Sequence, residues 1–245
     1  MFRFKRLFVF CLSRVLSLST LFSFPLDVKG YEICINSSGS DCVVYTTVGS
    51  FKRTVVRYTQ NGISTYLKNE AGTDCIGINP EKDYKIWYYG CAITSVTMLV
   101  NYYYGYTSTK GILISDVNST VHNSCNYNPT NVVVAYSTVL ELVLADNNYD
   151  SNSSRVIDKV SAYFISNSDR VPLILIGAQT SAGLKHFELA IGYTYTDFYY
   201  ESGRVERDFT DIIMLDPNTG TSHTRLSQFM LKYPTVYRIH VYGKK

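Results

Sequence analysis

The sequence predicts an α+β fold, a long helix packed on an antiparallel β-sheet, and three observations carry that prediction. Residues 90–105 repeat apolar side chains at helical spacing and place a cysteine at the helix start. Two further helical stretches follow within residues 131–165. Beyond residue 170 the apolar period shortens to that of strands. Helices grouped first and antiparallel strands second is an α+β order, not the alternation of a parallel sheet. At 245 residues the chain fits one domain with a leader and a short appendage, and 46% hydrophobic content suffices for a core. The 22 tyrosines point to an ordered, strand-rich chain rather than a disordered one.

Residues 1–30 read as a secretory leader. Arg3, Lys5 and Arg6 precede an apolar run from Leu7 to Phe24, and Leu26-Asp27-Val28-Lys29-Gly30 leads out of it. Arg14 interrupts the run and no clean small-x-small site closes it, so a retained N-terminal anchor stays open as the alternative. The expected location is secreted or cell-surface. The leader also explains the charge. It holds five of the 23 basic residues and one of the 20 acidic ones, leaving 18 against 19. A nearly neutral mature chain argues against a nucleic-acid partner, and the mature part shows no transmembrane span.

With Cys11 counted in the leader, five cysteines remain: Cys34, Cys42, Cys75, Cys91 and Cys125. An odd number in an exported chain suggests one free thiol and up to two bridges. With Cys91 free, three pairings are open. Cys34–Cys42 is the most local, and Cys75–Cys125 would accompany it. No C-x-x-C or H-x-x-x-H spacing occurs, so nothing here calls for zinc, and no cofactor is expected.

Residues 31–85 carry short strand-like runs (Val43–Thr47, Lys52–Tyr58) between polar turns. They read as an N-terminal extension, either a propeptide or part of the domain that occupies residues 86–245. The helix then starts at Gly90-Cys91, with Ala92, Val96, Leu99, Val100 and Tyr103 as its buried stripe and Gly105 in the turn beyond it. Lys110–Thr130 is polar and irregular. Asn131–Asp146 reads as a second helix and Ser154–Ile165 as a third, capped by Ser153 or Ser154. Val171–Gly177 and His186–Thr194 are strands, Tyr195–Val205 a hairpin tip, and Asp211–Leu215 the returning strand. A short helix at Leu226–Lys232 and a strand at Val236–Tyr242 close the chain.

Cys91 lies where unpaired backbone N–H groups point outward and the helix dipole is positive. A thiolate, the reactive form of cysteine, is favoured there. The dipole contributes only roughly 0.3–1 kcal/mol, so a reactive Cys91 needs a second helper, normally an imidazole. His186 opens the strand Lys185–Tyr193 and shares a face with Glu188, Ala190 and Gly192. The small residues at 190 and 192 leave room beside that face for a closely packed helix. Asp216 ends the returning strand, and antiparallel pairing through the hairpin brings it beside His186, where a carboxylate can orient the ring. Each residue alone has an ordinary explanation: a small buried thiol, a core histidine, an Asp-Pro turn. The order cysteine at a helix start, histidine at a strand start, aspartate at the next strand end is what singles them out. His122, His223 and His240 read as structural or solvated.

The run Gly-Cys-Ala-Ile-Thr-Ser-Val-Thr-Met-Leu-Val-Asn-Tyr-Tyr closely resembles the nucleophile helix of papain-like cysteine peptidases, nearest to the double-glycine (bacteriocin-processing) branch. The histidine opening an apolar stretch that ends in Gly-Tyr, and the Asp-Pro-x-x-Gly turn, are similar to the same family's other motifs. The resemblance implies a papain-like fold and a Cys91-His186-Asp216 triad acting on a peptide or protein substrate. It also implies a glutamine upstream of the cysteine, whose amide helps hold the oxyanion. None lies in Pro80–Tyr89, and Gln60 is the candidate, with a plain turn before Asn61-Gly62 as its other explanation. The expected function is a secreted cysteine peptidase. A cell-wall amidase or acyl transferase using the same triad is the alternative, and an inactive papain-like binding module is the third reading.

Overall fold

A computed structural model describes residues 28–29, 42–69, 71–76, 84–121, 125, 128–218 and 223–245. The expected leader lies outside the described residues except for Val28 and Lys29, as do Cys34 and His122. Two compact units emerge, residues 1–49 with 197–206, and residues 50–196 with 207–245. In the first, β1 (Val28–Lys29) pairs antiparallel with β2 (Val43–Lys52), with Val28 opposite Thr47. Tyr45 stacks on Tyr199 at 4.4 Å. Cys42 is disulfide-bonded.

The second unit is organised on the sheet order β2-β5-β4-β7-β3, with β6 beside β5. Here β3 is Leu140–Asp146, β4 Leu173–Gln179, β5 Lys185–Tyr200, β6 Val205–Leu215 and β7 Thr235–Lys244. Strand β4 lies antiparallel to both β5 and β7, and β3 antiparallel to β7. The helices are α1 (Ile86–Tyr89), α2 (Cys91–Tyr103), α3 (Ile114–Val121), α4 (Pro129–Ala135), α5 (Ser153–Ser166) and α6 (Leu226–Lys232). The α+β class read from the sequence holds, and a single alternation along β5 explains how the layers form. Phe187, Leu189 and Ile191 face the core that contains α2, while Ala190, with Ile174 and Ile176 of β4, faces the core containing α5 and α6. His186 and Glu188 share the α5–α6 side. The helix packed beside the imidazole is therefore α6, and α2 lies against the opposite face.

Helix α2 is buried along its length, Tyr102 excepted, and not only on the expected stripe. Val96, Leu99 and Val100 have no exposure, each worth about 1.5–3 kcal/mol on burial. Its polar residues are accommodated within the core. Thr97 Oγ1 donates to the Ile93 carbonyl, and Asn101 clasps Ile112 by donating to its carbonyl and accepting its N–H. Tyr103 donates to the Tyr242 carbonyl at 2.7 Å and accepts the Leu173 N–H at 3.1 Å, fixing the far end of α2 to β7 and β4. Gly105 adopts φ +76°, the left-handed turn expected of it.

Several elements differ from the sequence reading. The expected helix Asn131–Asp146 is instead α4, a turn and strand β3, because the run from Leu140 finds an antiparallel ladder on β7, interrupted only by a bulge at Val143. A short apolar run fits either period, and a free ladder partner decided it. The polar stretch Lys110–Thr130 contains α3, whose Ile114, Val117 and Val121 are buried at helical spacing under a polar composition. Helix α5 begins as expected but is capped by Asn152, which accepts the Arg155 N–H, rather than by a serine. Strand β2 runs through Gly49-Ser50 and ends at Lys52, so the first expected run is longer than read and the second, Lys52–Tyr58, forms no strand beyond its first residue.

Candidate active site

The site is assembled where α2 begins. Gly90 precedes Cys91, and a Cβ at Gly90 would sit 2.3 Å from the Ile86 carbonyl oxygen, so only glycine allows α1 to run this closely into α2. Cys91 is a free thiol with 8% exposure. The other thiol expected to be bridged in this unit is bridged: Cys75 pairs with Cys125 across 50 residues. A loop of that size removes about 4 kcal/mol of unfolded-chain entropy in the chain-entropy model. It ties the lead-in of α1 to the segment between α3 and α4.

His186 lies at the start of β5, and its interaction with Cys91 raises the ring's affinity for a proton. Its Nε2 lies 3.1 Å from Asp216 Oδ1, leaving Nδ1 for the thiol. Asp216 follows the end of β6, across the hairpin from His186, as the strand pairing requires. Its Oδ1 also accepts the Asn218 N–H at 2.8 Å, a turn bond that holds the carboxylate in place. Tyr233 covers the ring, stacked at 5.2 Å and 24°. Burial disfavours a charged His186, but the hydrogen bonds to Asp216 and Cys91 and the charges of Cys91 and Glu188 outweigh it. The ring is pushed up to about 10.

Gln60 comes from far upstream and is buried at 3% exposure. Its backbone N–H bonds the Pro217 carbonyl at 2.8 Å and its side-chain amide donates to the Trp87 carbonyl at 3.1 Å. Arg57 donates to the Asp216 carbonyl at 3.0 Å. Residues 57–60 therefore lie between the Asp216-Pro217 turn and the lead-in to Cys91. A primary amide carries two N–H groups, so one remains after the Trp87 contact.

All four residues singled out in the sequence are thus brought to one place. Two more are present: Glu188, which read only as sharing the His186 face, and His223, which read as structural or solvated. Glu188, with no exposure, and His223, at 9%, bond each other at 2.9 Å (Oε1 to Nδ1). His223 Nδ1 also lies 3.4 Å from Asp216 Oδ2, and Glu188 Oε1 lies 3.7 Å from His186 Nε2. Glu188 was legible in principle, since strand alternation puts it on the His186 face. His223 had no signal, since it reaches the site only by folding. Ligand atoms of His186, Glu188 and Asp216 fall within 4.8 Å of one another. Their separations are those of hydrogen bonds and ion pairs, so none is assigned to a metal. His240, read as structural or solvated, is buried at 1% and bonds Asn147, away from this cluster.

Among the described residues no helix is long and apolar enough to cross a membrane. No curated protein and no solved structure matches the chain. The Peptidase_C39 like family matches residues 52–241. A match that spans most of the chain and covers both the helix of Cys91 and the strands of His186 and Asp216 places this protein in the Peptidase_C39 like family.

Proposed function

We propose that the protein is an exported thiol peptidase of papain-like arrangement in which Cys91, His186 and Asp216 act as a triad. The observation that carries this reading is the imidazole of His186 with its Nε2 3.1 Å from a buried carboxylate and a free thiol at the start of α2 acting on the same ring. Nucleophile, base and orienting group stand in the order the chemistry needs. Cys91 passes its thiol proton to His186 Nδ1, and its sulfur attacks the carbonyl carbon of the scissile peptide. His186 Nδ1 then gives its proton to the leaving amine nitrogen as the C–N bond breaks. Water, surrendering a proton to His186, hydrolyses the thioester and restores the thiol. Asp216 keeps Nε2 protonated and the ring oriented. The second N–H of the Gln60 amide, with the Cys91 backbone N–H, receives the oxyanion.

Export is supported by the Cys75–Cys125 bridge, which belongs in an oxidising compartment, and by the leader-like first 30 residues. N-terminal sequencing of protein recovered outside the cell tests this. For the activity, the intact chain is incubated with a peptide library and, separately, with peptidoglycan. Release of new amino termini from the library, lost in Cys91→Ala, is expected. Products from peptidoglycan alone would overturn the peptidase reading in favour of a cell-wall amidase.

A further inference from the structure

Behind Asp216 lies a second acid–base pair that the triad does not account for. Glu188 is fully buried in the middle of the sheet face that also carries Ala190 and Ile176, positions where an apolar side chain would pack without penalty. It points instead at His223, and its second oxygen has no hydrogen-bond partner among the described residues. His223 Nδ1 sits between two carboxylates, 2.9 Å from Glu188 and 3.4 Å from Asp216. Each member of the cluster comes from a different part of the chain: β5, the turn after β6, and the approach to α6.

We propose that His223 and Glu188 are positioning residues for the reaction: His223 separates and neutralises the two buried carboxylates so that Asp216 stays ionised against His186, and Glu188 adds negative charge that sustains the His186 imidazolium. This rests on the thiol-site reading above. The physical need is plain. Two carboxylates cannot both stay ionised this close in a dry site unless a donor lies between them. The charge of Glu188, 3.7 Å from Nε2, favours the protonated ring directly. Burial and the charge of Asp216 push Glu188 up to about 7, against the pull of its bond to His223 and of both imidazoles, so its charge is present in the alkaline range where His186 gives up its proton. The groups facing this cluster are Cys91 from α2, His186 from β5, Asp216 from the turn after β6, His223 itself, and Tyr233 from the end of α6. Burial holds Tyr233 in its neutral form.

Because the natural substrate is unidentified, the probe is iodoacetamide, and the readout is the rate of Cys91 alkylation against pH on the full chain. That readout does not depend on turnover. In the wild type the rate is expected to hold a plateau that ends where His186 loses its proton. Glu188→Gln, nearly isosteric, removes the charge and is expected to move that alkaline end down by about one pH unit or more. His223→Leu leaves two carboxylates without a donor and is expected to slow alkylation at pH 6.5 at least tenfold. Adding Glu188→Leu to it should recover part of the loss, which a purely structural pair would not do. If Glu188→Gln changes thermal stability while the alkaline end stays within about 0.2 pH unit, the positioning role is overturned. Should the His223 variants not fold, the Glu188→Gln profile alone decides. His186→Ala separates the two levels of inference: an unchanged alkylation rate at pH 6.5 in that variant sinks the thiol site itself, and this proposal with it.

Discussion

Two buried histidines of this fold behave in opposite ways. His186, at the start of β5, is pushed up to about 10, while His240, in the middle of β7, is pushed down to about 4. Both are removed from water, at 7% and 1% exposure. Burial disfavours the charged ring in each case. At His240 the Arg238 charge adds to burial, Asp146 opposes it only in part, and the ring stays neutral. At His186 burial is overridden by Asp216, Cys91 and Glu188. The difference is one of position along a strand. A strand end adjoins loops and helix termini, which can deliver charged groups from distant segments. A strand interior is hemmed in by its ladder partners, here Ala145 and Leu175. The sheet thus holds one imidazole that favours its proton beside a carboxylate and another that stays neutral in the core.

The comparison is broken most directly at the chemistry. Cys91→Ala and His186→Ala are each expected to reduce casein digestion to background, a loss of about 10³-fold or more, with folding preserved by circular dichroism. His186→Ala should also slow alkylation of Cys91 at pH 6.5 at least tenfold. Asp216→Asn should be impaired less, because an amide can still orient the ring. His240→Gln should leave both readouts within twofold. If it slowed alkylation as His186→Ala does, the division between the two histidines would be wrong. If Asp216→Asn were as inactive as Cys91→Ala while His186→Ala alkylated normally, the thiolate–imidazolium mechanism would need reassigning.

Next in size is Gln60. Gln60→Ala is expected to lower casein turnover by about 10²–10³-fold, yet leave alkylation by iodoacetamide nearly unchanged, since no oxyanion forms in that displacement. Equal losses in both assays would mark Gln60 as a structural brace for the Trp87 carbonyl instead.

The pH dependence of stability sharpens the comparison from the other side. A ring held below its ordinary 6.5 makes the unfolded chain the better proton acceptor between 6.5 and about 4, so its contribution is intact above 6.5 and is lost as pH falls toward 4. His186 has the opposite sign: its contribution is full below 6.5 and is lost as pH rises through about 10. Urea unfolding at pH 7.0 and 4.5 should therefore show an acid loss in the wild type that is smaller in His240→Gln, by up to about 3 kcal/mol. An identical loss in both would remove His240 from the account.

The smallest effect is expected at the opposite end of α2. Tyr103→Phe deletes the hydroxyl that bonds the Tyr242 carbonyl and the Leu173 N–H, and should cost about 1–2 kcal/mol with no change in alkylation. A change in Cys91 reactivity would mean that the helix transmits its anchoring to the site.

Much of this was legible before folding because it depends on neighbours in sequence. The period of residues 91–103 marks a helix, and its first residue inherits the N-terminal N–H groups whatever surrounds it. Strand alternation sets Glu188 on the face of His186, and a hairpin brings Asp216 back to where β5 began. Tertiary structure decided what depended on partners. Leu140–Asp146 became a strand because β7 offered a ladder that the apolar run could not announce. Asn101 and Tyr103, polar residues on a buried helix, found their bonds on Ile112, Leu173 and Tyr242, none of them predictable from spacing. Gln60 and His223 reach the site through contacts across long stretches of chain, Gln60 to Pro217 and Trp87, His223 to Glu188 and Asp216. The charge state of each histidine was likewise undetermined by its own residue type, because it is set by the number of ionised groups that folding places around a ring already stripped of water.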